Sequence, residues 1–211
     1  MQIYLHQNDL PSDLSFFSDN FKGEIAVDTE SMGLKTERDR LCLVQVSQGD
    51  GVCHLVQIPD LKKTLIEAPN LKKLLENPKI PKILHYARAD LTPLKKYLDI
   101  TVAPVFCTKI ASKLARTYTD RHSLKELCKV LLNIDILKEE SCSDWGAPTL
   151  TDSQLSYAAT DVLYLHQIKD ALLALLKREN RLTLAQGCFN ALSALSALDA
   201  CGFSCDEIIR Y

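Results

Sequence analysis

"GEIAVDTESMG", residues 23 to 33, ends an apolar run on two acids. Ile25, Ala26 and Val27 read as a buried strand spanning Glu24 to Thr29, with Asp28 and Glu30 at its close. Side chains two apart on a strand share a face, so the two carboxylates aim at one spot. A pair of ordinary surface acids after a strand would give the same letters. A cation held between them would give the pair a function, because like charges that close repel unless something positive separates them.

The surrounding composition is that of a soluble globular chain. It has 211 residues, 46% of them hydrophobic and 25% charged, enough for one domain with a sizeable core. There is no internal repeat, no low-complexity segment and no linker, so residues 1–211 are read as a single domain. The net charge of −2 gives no global basic field for nucleic acid, although a local patch suffices for that. No apolar run is long enough to span a bilayer, and no membrane partner is expected. The opening "MQIYLHQNDLPSDLSFF" carries acids and no basic stretch, and is not read as a secretory signal. The eight cysteines form no CxxC pair and mostly sit inside apolar runs. They are expected to be buried thiols in a reducing, cytoplasmic compartment rather than a disulfide framework. Cys201 and Cys205 lack the second pair that a zinc site needs.

Further elements follow from local signals. "RLCLVQVS" (Arg40 to Ser47) and "GVCHLVQI" (Gly51 to Ile58) are apolar, β-branched runs separated by Gly49-Asp50-Gly51, a hairpin pattern. Leu71 to Glu76 is a short helix stopped by Asn77-Pro78, and "KILHY" a short strand. The next helix carries Leu91, Leu94 and Leu98 on one face. Pro93, best tolerated in a first turn, puts its start near Ala89 and Asp90 at its N-terminal end. Ser123-x-x-Glu126 and Thr151-x-x-Gln154 are capping boxes opening two later helices. After residue 105 the pattern is nearly all helical. An early hairpin, one more strand and then helices predict a mixed α/β domain. The apolar "LAQGCFNALSALSALDACGF" predicts a helix buried on most sides, in the core or at a subunit contact.

Two more acids stand out. In "LTDSQLSYAATDVLYL", at about 100° per residue, Tyr157 and Asp161 fall roughly 40° apart on one helical face. They flank the core stripe Leu155, Ala159, Val162 and Leu165, where an acid is costly to bury unpaired. In "ILHYARADL", Asp90 follows an apolar strand near a helix start, which the helix dipole alone would explain. Each feature is ordinary by itself.

In order they read D-x-E, then D, then Y-x-x-x-D, and here the sequence resembles the DEDDy branch of the 3′-5′ exonucleases of the ribonuclease D-like superfamily. "AVDTESMGL", "LHYARADL" and "LSYAATDVLYL" carry the three exonuclease motifs. "LCLVQVSQGDG", "CTKIASKLA", "HSLKELCKVLL" and "SDWGAPTLT" are also similar, so that the likeness runs from about residue 20 to 178. Within the superfamily the chain looks most like the nano-RNase C group, compact enzymes that degrade dinucleotides and assemble into rings. With only residues 179–211 after the catalytic pattern, the helical domains that ribonuclease D carries there are not expected.

The resemblance implies a ribonuclease H-like (DnaQ-like exonuclease) fold, a mixed sheet flanked by helices. It implies a 3′-5′ exoribonuclease using two divalent cations, Mg²⁺ or Mn²⁺, to release nucleoside 5′-monophosphates. Asp28 would bridge both ions, Glu30 and Asp161 would complete the one that binds the attacking water, and Asp90 would serve the other. Tyr157 would orient the water and help to deprotonate it. Met32, Gly33 and Leu34 are the candidate floor for the terminal bases. His85, Tyr86, Arg88, Arg121, His122 and Trp145 are further candidate contacts, each with a structural alternative. The implied partner is short single-stranded RNA, with DNA as a variant, and a homo-oligomer is expected. A ribonuclease D-like enzyme acting on longer ends and an inactive nucleic-acid-binding scaffold are the competing readings.

Overall fold

The computed structural model describes residues 1–17, 21, 23–33, 35–60, 67–136 and 143–209. Its sheet is built outward from β2 (Ile25–Ser31), the strand that carries the two acids. β3 (Leu41–Ser47) pairs with it antiparallel, and β4 (Val52–Gln57) pairs antiparallel with β3. On the other side stand β5 (Lys82–Leu84) and β6 (Val105–Cys107), both parallel. β1 (Gln2–Gln7) closes the far edge, parallel to β4, giving the order β1-β4-β3-β2-β5-β6.

Ile25, Ala26, Val27, Leu41, Leu43, Val44 and Val46 have no exposed surface, as expected of strands covered on both faces. The hairpin forms as read, with Gly49 and Gly51 at φ 83° and 82°, a backbone region that glycine enters without steric cost. β2 outruns its expected end. It continues through both acids to Ser31 because Asp28 pairs with Gln45 and Glu30 with Leu43, and its register shifts only between Glu30 and Ser31. β1 and β6 have no counterpart in the sequence reading.

Helices cover the sheet. α1 (Pro69–Leu75) starts two residues before the expected Leu71, because the Asp9 carboxylate accepts from the N–H groups of Asn70 (2.9 Å) and Leu71 (2.8 Å). α2 (Arg88–Leu98) holds Asp90 in its first turn, as expected, but Pro93 lies in its second. There the Thr92 hydroxyl donates to the Arg88 carbonyl at 2.8 Å. α3 (Thr108–Ala115) follows β6. α4 (Leu124–Leu127) is capped by Ser123 and runs on as a π-helical turn, Cys128–Leu132. α5 (Asp152–Leu163) opens on a complete capping box, Thr151 with Gln154. α6 (Leu165–Arg178), α7 (Leu182–Ala200) and the short α8 (Cys205–Ile209) end the chain.

α7 is not buried all round. Ala185, Phe189, Leu192 and Ser196 form one buried stripe, while Leu184, on its flank, is 57% exposed. The inner face packs on α2, where Arg88 makes a two-pronged ion pair with Asp199 at 2.6 and 2.7 Å. Cys42, Cys53, Cys107 and Cys128 are buried, and burial pushes their thiols up, to about 11 at Cys42 and about 12 at Cys53. Cys188 is half-buried and Cys201 exposed, so the expectation of buried thiols fails there. Among the described residues no helix is long and apolar enough to cross a membrane.

Candidate active site

Three acids meet over one end of β2. Asp28 and Glu30 project from the same face, α5 lies across it, and Asp161 descends from α5. Carboxylate oxygens of all three lie within 4.8 Å of one another. Tyr157, one turn earlier on α5, is hydrogen-bonded to Asp161. Thr29, between the two acids, faces the other way. Its hydroxyl donates to Asp90 Oδ1 at 2.7 Å and its backbone N–H also reaches the Asp90 carboxylate. Along β2, β5 reaches only Ile25 and Ala26, which leaves the flank of Thr29 open to α2. The sequence reading gave Thr29 only as the end of the strand, whereas here it ties Asp90, 4% exposed, to the acid-bearing strand.

The charges strain one another. Burial first, then Asp90, Asp161 and Glu30, push the Asp28 carboxyl well above the usual range. Burial pushes Asp90 up to about 7 against the bonds from Thr29. Burial and the charges of Asp161, Glu30 and Asp28 push the Tyr157 hydroxyl up from its ordinary value. Burial and these charges hold Tyr157 as a neutral phenol in the metal-free site, suited to orienting a water. Hard carboxylate oxygens, crowded until each disfavours its neighbour's ionisation, are a donor set that fits Mg²⁺ or Mn²⁺.

The expected substrate contacts divide. Met32 is 56% exposed at the end of β2, its sulfur so near Gly146 that a Cβ there would come within 3.3 Å. Gly33 is exposed beside it, and a Cβ at Gly33 would overlap the Asp39 carboxylate. Asp39 is held by Lys35 N–H at 2.9 Å and by Arg38, whose pairing brings its carboxyl down to about 2. Gly33→Ala is therefore expected to displace this turn and raise KM severalfold with kcat nearly unchanged, the signature of lost uniform binding; steady-state kinetics checks it. Leu34 lies outside the described residues. Tyr86 is 54% exposed at φ 64°, with Lys109 Nζ 3.6 Å above its ring. His85 is half-buried, with Nδ1 2.9 Å from the Thr108 hydroxyl. Arg121 is exposed on the α3–α4 loop.

Three candidates are corrected. Arg88 pairs with Asp199 on α7, a contact that fastens two helices. His122 is buried against Ser112 at 2.8 Å, and burial lowers its pKa. Trp145 is 2% exposed and cannot stack on a base. It packs instead against Tyr157, with ring centroids 6.0 Å apart. Its loop is fastened by Gln154 to Ser143 and the Asp144 carbonyl, by Gln57 to the Ala147 carbonyl, and by Arg40 to the Gly146 carbonyl. The reading also missed Gln45, the cross-strand neighbour of Asp28. It is fully buried, and neither end of its side-chain amide has a hydrogen-bond partner among the described residues. Its only local signal is polarity at an inward-facing position of an apolar strand.

Residues 3–177 match the 3′-5′ exonuclease family. The chain belongs to that family. Among curated 3′-5′ exonucleases it is 34% identical over 158 residues to ribonuclease D of Gluconacetobacter diazotrophicus, which covers 75% of this chain and 39% of that protein. It thus spans about two fifths of such relatives. Among solved exonuclease structures, Brucella melitensis NrnC is 49% identical, with a TM-score of 0.87 and coverage of 96% of this chain and 95% of that one. The Brucella protein has also been solved bound to pGG and with bound Mg²⁺. Escherichia coli RNase D is 26% identical, with a TM-score of 0.71 over 82% of this chain and 44% of that one. The fold is accordingly the expected ribonuclease H-like one, and the chain is of the ribonuclease D-like type.

Proposed function

We propose that the chain is a metal-dependent 3′-5′ exoribonuclease that hydrolyses very short oligoribonucleotides, dinucleotides in particular, to nucleoside 5′-monophosphates. The meeting of Asp28, Glu30 and Asp161 within 4.8 Å, beside Asp90 and Tyr157, carries this reading. Likeness to the Brucella protein over nearly the whole of both chains, and its complex with pGG, support the short substrate.

In this reading Asp28, Glu30 and Asp161 would hold one divalent cation, and Asp90 would serve a second beside Asp28. When bound, the cations acidify the attacking water and neutralise charge on the phosphate and the leaving 3′ oxygen. The water oxygen attacks phosphorus as its proton passes to solvent, the P–O3′ bond breaks, and the departing 3′ oxygen takes up a proton from solvent. The Tyr157 hydroxyl, fixed by Asp161 on one side and the Trp145 ring on the other, orients the water. Thr29 holds the Asp90 carboxylate in place. Met32 and Gly33, exposed just beyond the acids, form the floor for the terminal bases. The outer side of α7, with Leu184 exposed, supports a homo-oligomer, which sedimentation would read directly.

The test is a product time course with a 5′-labelled dinucleotide and a 5′-labelled longer RNA and DNA, each with and without chelator. The expected result is faster hydrolysis of the dinucleotide by about tenfold or more in kcat/KM, abolished by chelator. A preference for the longer RNA would replace this reading with a ribonuclease D-like one, and no hydrolysis of any of them would leave a binding scaffold.

A further inference from the structure

Leu5, Leu55, Gln45 and Asp28 are successive partners across β1, β4, β3 and β2. Directly paired residues of neighbouring strands project to the same face, so Gln45 stands beside Asp28 under α5. The helix presents Ala158 and Ala159, both fully buried, on its inner side. A leucine or methionine would fill this position at no polar cost. An amide does not, because burying one with its donors and acceptor unmatched is unfavourable. The inner ends of this row therefore hold two groups with complementary needs. Gln45 has amide hydrogens without an acceptor. Asp28, when ionised, has lone pairs beyond the one that the Thr29 N–H occupies.

We propose that Gln45 is a positioning residue for Asp28, its Nε2–H donating toward the Asp28 carboxylate directly or across one buried water. The bond forms with the ionised carboxylate and fixes the direction in which its oxygens point, as outer hydrogen bonds do for metal-ligating groups generally. This inference rests on the reading of Asp28 as a cation-holding acid of a nuclease.

The experiment compares Gln45→Leu and Gln45→Met with the wild type by Mn²⁺ titration followed by electron paramagnetic resonance, by melting of the metal-free protein, and by dinucleotide kinetics. Both variants are expected to melt at or above the wild-type temperature, having lost an unmatched amide. Both should bind Mn²⁺ about tenfold more weakly, and kcat should fall about tenfold with KM little changed. In an Asp28→Asn background, Gln45→Leu should weaken Mn²⁺ binding no further, because the coupling is gone. Mn²⁺ affinity and kcat within twofold of wild type in both variants would overturn the proposal. So would weakened binding that merely tracks a lowered melting temperature, since that marks a packing role. A wild type that binds Mn²⁺ but hydrolyses nothing would refute the nuclease reading alone, and the titrations would still decide the role of Gln45.

Discussion

Asp28→Asn is expected to lower dinucleotide hydrolysis by about 10²- to 10³-fold while leaving the metal-free protein at least as stable as the wild type. The two effects share one cause. Asp28 sits where burial and the charges of Asp90, Asp161 and Glu30 all oppose its ionisation. The position is therefore unfavourable for folding, and in the proposed reading its use is to gather cations. An amide of the same shape removes the repulsion and one ligand together. Hydrolysis rates with saturating Mn²⁺, set beside thermal melts in chelator, read both halves. A variant that keeps activity within tenfold would remove Asp28 from the proposed site. One that is inactive because it no longer folds would contradict the electrostatic account.

The second large effect is a pH-dependent stabilisation by divalent cations. Asp90 has its carboxyl raised to about 7, and that of Asp28 is raised as well. A carboxyl raised on folding favours the folded state at low pH, below its unfolded value, and loses that contribution as pH climbs through the folded value. The metal-free protein should therefore lose stability between about pH 4 and 7 through Asp90, and Asp28 acts in the same direction. Cation binding requires the ionised forms and must displace protons below pH 7. Mn²⁺ or Mg²⁺ should consequently raise the melting temperature much more at pH 8 than at pH 6, with affinity increasing up to about tenfold per pH unit for each proton displaced. Calorimetric titration in buffers of different ionisation enthalpy counts those protons. Asp90→Asn should flatten the dependence, and an equal cation shift at both pH values would contradict it.

Much of this arrangement was legible in the letters. The D-x-E pair, Asp90 and the Tyr157–Asp161 spacing each encode a local geometry, strand face or helix face, that survives folding unchanged. The paired glycines and the Thr151 capping box did so too. What the sequence could not show was set by partners far along the chain. Arg88 was read as a substrate contact because its partner Asp199 lies on α7. The start of α1 was misplaced because its cap comes from Asp9. Trp145 owes its role to Tyr157, a contact between a loop and a helix. β1, "QIYLHQ", alternates too weakly to announce a strand and is ordered by its ladder to β4. β6 is only three residues long and gains its identity from β5.

The brevity of β5 has one further consequence. β2 runs on for five residues beyond its last bond to β5, from Val27 to Ser31, and it is in this overhang that both acids stand. Chemistry here is tied to a difference in strand length as much as to residue identity. A few extended residues added after Leu84 would zip along the overhang, push Asp90 off Thr29 and silence the site with every acid still in the chain.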